Sequence, residues 1–567
     1  MTSFRYCSVL VLILAFSAIS CSGGESGPEV PDGYVEFTIR GASSMQKILA
    51  ITDLNSLQET FTVQGAKGEH EAFQVVPVLP DRKQEIHDVV VQASDLTMGD
   101  QMISASNLQV FLEYYVTVTE PTDEGGKVGK WPDALIPLSV PFDVKGDFPC
   151  PVWINIDIPR SAIPGTYNGS IVMSASNGPI VTYNYTLEVW NFEMPKNLYL
   201  KSNFGLDQEN LVEEYDLGND IISPRGREIT RMYAKFLADR YTSTHGVPVF
   251  RPDIKLNPDQ RSFTIDFTEM EKDIKLFLDD YDLSSIHFPL SRFDLQPEGF
   301  IGLQQTMFTD NFNARLIDYT NQVSQYFKDR GYFDRTFILV FDEPQTKEHY
   351  QYIRDVSDVI RQADLNPDIM VTEQPHPQND ECGPLFDWVD IFTSLIRVFE
   401  WYGGEANARA GAENHEEWIY TNCSVYPFPS YAIDKQGVET RLFYWYVYQH
   451  GFTGAFYGSA LDWSQQNPWE NPMTFGSLLG NGCNNFTYPG SMVNKYTGQN
   501  DTDQPIGSLR LELIRDGLED AQLLYMLGNG QPIEKPKEIM QDWFHYTGDP
   551  NELLRVREEL AQMIMAQ

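Results

Sequence analysis

From Pro195 onward the chain alternates between short strand-like segments and amphipathic helical ones, a pattern that few folds can absorb. Leu198 to Leu206 reads as a strand and Glu228 to Tyr241 as a helix. Ser285 to Leu290 is a strand, followed by a helix over Asn311 to Arg330. Thr336 to Phe341 is a strand before the helix Lys347 to Ala363, and Asp368 to Thr372 and Val389 to Leu395 are two more strands. Trp418 to Ser424 precedes a helix over Val438 to His450, Thr453 to Ser459 is the last strand, and Glu512 to Leu527 ends the series as a helix. Seven or eight such units predict a (β/α)8 TIM-like barrel over 196–567, closed by C-terminal helices. The competitor is a doubly wound open sheet, but no glycine-rich nucleotide fingerprint follows the first strand.

Before Pro195 the texture differs. In Trp153-Ile154-Asn155-Ile156-Asp157-Ile158 isoleucine takes every second position, and Val181 to Trp190 alternates in the same way. Strands at this spacing, punctuated by Gly65, Gly68 and Pro164-Gly165 without intervening helices, predict a β-sandwich over 31–195 that braces the barrel. A chain of 567 residues exceeds one ordinary core, so two such domains are expected.

The N-terminus reads as processing sequence. Arg5 precedes an apolar run from Val9 to Ile19, too short to span a bilayer comfortably. It closes on Ala18-Ile19-Ser20-Cys21, which is similar to a bacterial lipobox. This predicts a signal peptide over 1–21, lipidation at Cys21 and a flexible tether over 22–30. The expectation is an outer-membrane lipoprotein, facing periplasm or exterior, that meets the membrane only through its anchor. Cys150, Cys382, Cys423 and Cys483 are widely spaced without a CxxC, so no disulfide is assigned. Eighty acidic residues against 41 basic ones give a formal charge of -39, which repels phosphate backbones and argues against nucleic acid as a partner. An aromatic content of 13% is compatible with a neutral ligand such as a sugar.

The chemistry concentrates at Phe337-Ile338-Leu339-Val340-Phe341-Asp342-Glu343-Pro344. Five apolar residues are what a barrel strand buried on both faces requires, and the run stops at two carboxylates. That places Asp342 and Glu343 at the C-terminal end of a strand, the rim on which barrels of this kind carry active sites. On an extended backbone the two would point opposite ways. Acids favoured near the start of the following helix are the competing explanation. Two-carboxylate glycosidases usually draw their acid and nucleophile from different strands. Adjacent carboxylates suit a route in which the substrate's 2-acetamido oxygen attacks the anomeric carbon, one acid orienting the amide and the other protonating the leaving group.

The sequence resembles glycoside hydrolase family 123, the retaining β-N-acetylgalactosaminidases, together with a wider family of bacterial barrel proteins. The likeness runs through Gly68-Glu69-His70-Glu71-Ala72-Phe73-Gln74, Trp131-Pro132-Asp133-Ala134-Leu135-Ile136-Pro137 and Ile163-Pro164-Gly165-Thr166-Tyr167. It continues through Asp342-Glu343-Pro344, Trp418-Ile419-Tyr420-Thr421, Arg441-Leu442-Phe443-Tyr444-Trp445 and Tyr488-Pro489-Gly490. The most specific block runs from Ser508 through Arg510, Glu512 and Arg515 to Asp516, Glu519 and Asp520. The resemblance implies that Asp342 polarises the acetamido group and that Glu343 is the general acid/base. It also implies an exo-acting enzyme that cleaves β-galactosaminides on a glycan or glycoconjugate without metal or cofactor. The segment Phe456-Tyr457-Gly458-Ser459-Ala460-Leu461-Asp462-Trp463 departs from it, since many members carry a second tryptophan there.

Other residues near strand ends are substrate-binding candidates. Trp463 could stack on a sugar face with Asp462 accepting from hydroxyls, against rim packing as the plainer alternative. Tyr426 could bond the acetamido group or pack in its loop, and His287 and Glu373 also fall near strand ends. Arg441, Arg510 and Arg515 fall in helices and read as ion-pair anchors. There is no HExxH, GxSxG or P-loop, so no metal, nucleophile elbow or nucleotide is expected. Two rivals remain: a glycosidase of other specificity pairing Glu343 with a carboxylate such as Glu373, and a catalytically silent glycan-binding lipoprotein.

Overall fold

The computed structural model describes residues 33–218, 220–246, 251–290, 308–375, 381–401, 415–463, 466–476 and 480–567; the leader and Cys21 lie outside them. None of the helices among the described residues is long and apolar enough to cross a membrane.

The N-terminal domain is built of two sheets. One has five strands in the order Thr38–Ser43, His70–Val78, Val152–Asp157, Leu108–Val118, Gly129–Pro137. The other is centred on the long antiparallel pair Gly165–Ser174 and Ile180–Glu193. Phe73, Val75, Ile154 and Ile156 of the first sheet share one core with Ile171, Met173, Tyr185 and Leu187 of the second. Each such side chain, once buried, contributes about 1.5–3 kcal/mol. The positions alternating with the isoleucines, which read as an outer polar face, are not exposed. Trp153 and Asn155 are buried as well, because the five-stranded sheet is sandwiched between its own core and the barrel.

The second domain is a nearly closed barrel of eight parallel strands. In chain order they are β1 (Lys201–Gly205), β2 (Ser243–His245), β3 (Ile286–His287), β4 (Thr336–Phe341), β5 (Asp368–Val371), β6 (Ile391–Leu395), β7 (Glu416–Tyr420) and β8 (Gly454–Tyr457). Hydrogen bonding follows β2-β1-β8-β7-β6-β5-β4-β3, so β1 pairs with β2 and β8, and from β3 to β8 each strand pairs with the next in sequence. Among the described residues, the seam between β2 and β3 is the one without a backbone ladder. Side chains bridge it instead: Ser243 Oγ lies 3.0 Å from Ser284 Oγ and accepts from Ser285 N–H at 3.2 Å, and Asn203 Nδ2 donates to Ser285 Oγ at 2.8 Å. Phe337, Met370, Ile391, Trp418 and Phe456 fill the interior, one large residue from each of five strands.

The helices begin where the sequence supplies capping side chains. Ser223, Thr309 and Thr346 cap α1 (Pro224–Ala238), α2 (Asp310–Asp329) and α3 (Lys347–Ile360). α4 (Gly437–Gln449) is aromatic on all sides because it is buried on nearly all sides. α5 (Leu509–Gly528) packs beside it, and α6 (Pro550–Met565) completes that flank. Strict alternation does not hold: β2 leads through the hairpin Asp253–Leu256/Phe263–Asp266, and no helix lies between β5 and β6 among the described residues.

The two domains are joined by buried ion pairs that begin on α4, α5 and α6. Arg441 reaches Glu71 at 2.8 Å and Asp520 at 2.6 Å, and Arg510 grips both oxygens of Asp133 at 2.7 and 2.9 Å. Arg515 bonds Glu512 at 2.6 Å and Asn155 at 3.1 Å, while Arg557 meets Glu69 and Asp520. The arginines are anchors, as their helical positions predict.

Candidate active site

The period-two rule sends Phe337 and Leu339 of β4 into the barrel and Ile338 toward the helices. Continued unbroken, it would turn Asp342 outward with Ile338. A β-bulge intervenes: the register with β5 pairs Leu339 with Met370 but Phe341 with Val371, so Val340 is the extra residue. Phe341 and Val371 then pack together outside the barrel, and the next positions, Asp342 and Thr372, come round together. Thr372 is buried and donates its hydroxyl to Asp342 Oδ1 at 2.7 Å.

Glu343 does not continue the extended strand. Its φ is +48°, a left-handed conformation that costs a non-glycine residue about 1–3 kcal/mol unless neighbours hold it. Its N–H donates to Thr372 Oγ1 at 2.5 Å, which fixes the turn. The opposite orientation expected of adjacent carboxylates is therefore not what forms; both Asp342 and Glu343 open into one cleft.

On β7, Glu416, Trp418 and Tyr420 alternate inward, which brings Tyr420 to the mouth. Its hydroxyl donates to Glu343 Oε1 at 2.6 Å. Burial, reinforced by the Glu343 carboxylate, holds the phenol well above its ordinary pKa, so it stays a donor. Glu373 shares the cleft. Its Oε2 accepts from Tyr350 at 2.7 Å and its Oε1 from the Gln374 N–H at 2.9 Å; burial raises its pKa, and Glu343 adds to the rise. The cleft measures about 1120 Å³ and is also lined by Arg397, Asn422, Phe456, Phe475 and Asn484.

Comparison with known families matches this architecture at both ends. Residues 265–527 fit the model described as glycoside hydrolase 123, catalytic domain, and residues 50–175 fit the glycoside hydrolase 123 N-terminal domain, together well over half of the chain. The chain belongs to glycoside hydrolase family 123. It is an enzyme that hydrolyses a glycosidic bond in a glycan. Among solved structures it is similar to a family 123 glycoside hydrolase from Clostridium perfringens, at 15% identity and a TM-score of 0.66, covering 93% of this chain and 97% of that one. A family 39 glycoside hydrolase from Bacteroides cellulosilyticus WH2 aligns at 10% identity over 81% and 82% of the chains, with a TM-score of 0.35. A comparison with curated proteins finds no match.

In this family 123 chain the remaining candidates fall elsewhere. Trp463 does not line the cleft: its indole N–H donates to Asn485 Oδ1 at 2.9 Å and to the Thr487 carbonyl at 3.0 Å, and its ring packs on the core. Asp462 is buried beside it and is also absent from the cleft wall. The reason is local: β8 ends at Tyr457, and Ala460 N–H then bonds the Gly205 carbonyl, drawing the chain across the end of β1. Tyr426 is half exposed and is not among the cleft-lining residues; Asp123 accepts its backbone N–H and Lys435 sits 5.0 Å from its ring. His287 lines a separate hollow of about 500 Å³ with Arg251, reaching the opposite side of Asp342. Burial, with Arg251 nearby, pulls its pKa down to about 4.

Thr372, Tyr420 and Phe475 escaped the sequence reading as site residues. Tyr420 lies inside a family motif and two residues from inward Trp418, so strand parity could have found it. Among the described residues, the metal-ligating groups that converge are Glu85, His87 and Asp143, which belong to the second sheet of the N-terminal domain and not to the cleft.

Proposed function

We propose that this glycoside hydrolase releases terminal β-linked N-acetylhexosamine, with N-acetylgalactosamine preferred, by substrate-assisted catalysis with retention. The observation carrying this reading is that Asp342 and Glu343 leave one strand end into one cleft. With Oδ1 already bonded to Thr372, Asp342 has its second oxygen to accept the N–H of the 2-acetamido group. The amide oxygen then attacks the anomeric carbon and displaces the leaving-group oxygen, which takes its proton from Glu343. Glu343, now a carboxylate, removes a proton from water as that water opens the cyclic intermediate from the leaving-group side. Two inversions retain the configuration.

Glu373 favours a second reading, in which it works with Glu343 on a sugar lacking the acetamido group. Both of its oxygens are already engaged, which supports Asp342 as the partner instead. The barrel is read as a (β/α)8 fold loosened at the β2–β3 seam. Lipidation of Cys21 at the outer membrane is part of the proposal, and a Cys21→Ser protein that still partitions with membranes would refute it.

The deciding assay is nitrophenol release from β-N-acetylgalactosaminide, β-N-acetylglucosaminide and β-galactoside by wild type and Glu343→Gln. Turnover confined to acetamido sugars and lost in the variant supports the reading. Cleavage of the plain galactoside overturns the substrate-assisted route. Turnover of none favours an oligosaccharide substrate, for which glycolipid glycans are the first choice.

A further inference from the structure

We propose that Thr372 is a positioning residue that sets both carboxylates at once, a claim resting on the roles given above to Asp342 and Glu343. One hydroxyl makes two bonds in opposite senses, donating to Asp342 Oδ1 at 2.7 Å and accepting from Glu343 N–H at 2.5 Å. The first bond fixes the rotation of the Asp342 carboxylate, so that its other oxygen presents a lone pair to the cleft. The second holds Glu343 in its left-handed turn, without which its side chain would follow the strand. The bulge at Val340 brings the two strands into the register that allows both bonds. Thr372 lines the cleft but is buried, and its hydroxyl is taken up by Asp342 and Glu343, so on this account it acts through those two neighbours.

The requirement is for a hydroxyl and not for shape. Valine matches threonine in volume and β-branching but can neither donate nor accept. It leaves Asp342 short of a donor and the Glu343 N–H short of an acceptor. Hydrogen bonds to charged groups of this kind correspond to about 10- to 100-fold in rate.

The test compares Thr372→Val and Thr372→Ser with wild type on the nitrophenyl glycoside that wild type turns over, with melting temperatures as the folding control. Thr372→Val is expected to lose about 10- to 100-fold in kcat with little change in KM, and Thr372→Ser to stay within about threefold of wild type. Thr372→Ala, which cannot crowd the barrel mouth, is expected to fall with valine. Wild-type kcat in Thr372→Val, or a serine variant as slow as valine, would overturn the proposal. If the substrate turned over is the plain galactoside, the acetamido reading fails, while the contrast between valine and serine still decides the role of Thr372.

Discussion

Tyr420 Oη donates to Glu343 Oε1 at 2.6 Å across the mouth of the barrel, tying the end of β7 to the end of β4. This bond holds the rotamer of Glu343, the proposed acid/base, before any substrate arrives. Tyr420→Phe keeps the ring and removes the donor, so kcat should fall by about tenfold while KM changes by less than about threefold. Steady-state kinetics on the acetamido substrate checks this, and an unchanged kcat would mean that Glu343 is held by other contacts.

Glu373 and Glu343 share the cleft, yet the proposed chemistry uses only one of them. Glu343→Gln should cost about 10²- to 10⁴-fold in kcat, the usual contribution of a general acid/base. Glu373→Gln keeps an acceptor for Tyr350 and should cost less than about tenfold. Comparable losses in the two variants would shift the mechanism to a carboxylate pair drawn from two strands.

Much of the fold was legible in the sequence because it follows hydrophobic period. The strand Thr336–Phe341 was placed to the residue, and the helix on Asp310–Asp329 to within one residue at each end. β2 was missed because Ser243-Thr244-His245 is polar and only three residues long, closing its seam through hydroxyls and not through apolar packing. The apolar run of β4 places the adjacent acids at a strand end but does not give their direction. That depends on a one-residue bulge and a left-handed glutamate, neither of which alters the residue pattern. The family motifs also mark a second place, away from the cleft. Glu69, Glu71, Asp133, Arg441, Arg510, Arg515 and Asp520 stand out in sequence, yet they meet at the domain interface, where burial leaves charges no alternative to their partners.

That interface yields a stability prediction at Arg510. The guanidinium satisfies Asp133 on both oxygens and also donates to the carbonyls of Tyr431, Gly482 and Asn485, all away from solvent. Arg510→Ala strands those acceptors and should cost about 3–5 kcal/mol, far above the 0–1 kcal/mol or so of an exposed pair. The exposed pair Lys495–Glu470 is the internal control, and Lys495→Ala should leave the urea midpoint nearly unmoved. Equal effects in the two variants would show that the domains are held by apolar packing alone.

Glu113 gives the pH dependence its sign. It lies buried in the five-stranded sheet, neither carboxylate oxygen has a hydrogen-bond partner among the described residues, and burial raises its pKa to about 8 despite the nearby charge of Lys47. A carboxyl whose pKa is higher folded than unfolded favours the fold while it carries its proton. That contribution is complete below the unfolded value of 4.5 and is lost progressively as the pH rises through about 8. Glutamine fills the same space and never ionises. Urea midpoints for wild type and Glu113→Gln should therefore differ little at about pH 5 and diverge toward pH 8, with glutamine the more stable by an amount on the order of a few kcal/mol. The comparison stops there because Lys47, lowered to about 8 by its own burial, begins to titrate in the same range. A gap that is constant across the range would mean that Glu113 reaches water or a partner when ionised, and that the slope of stability with pH originates in another group.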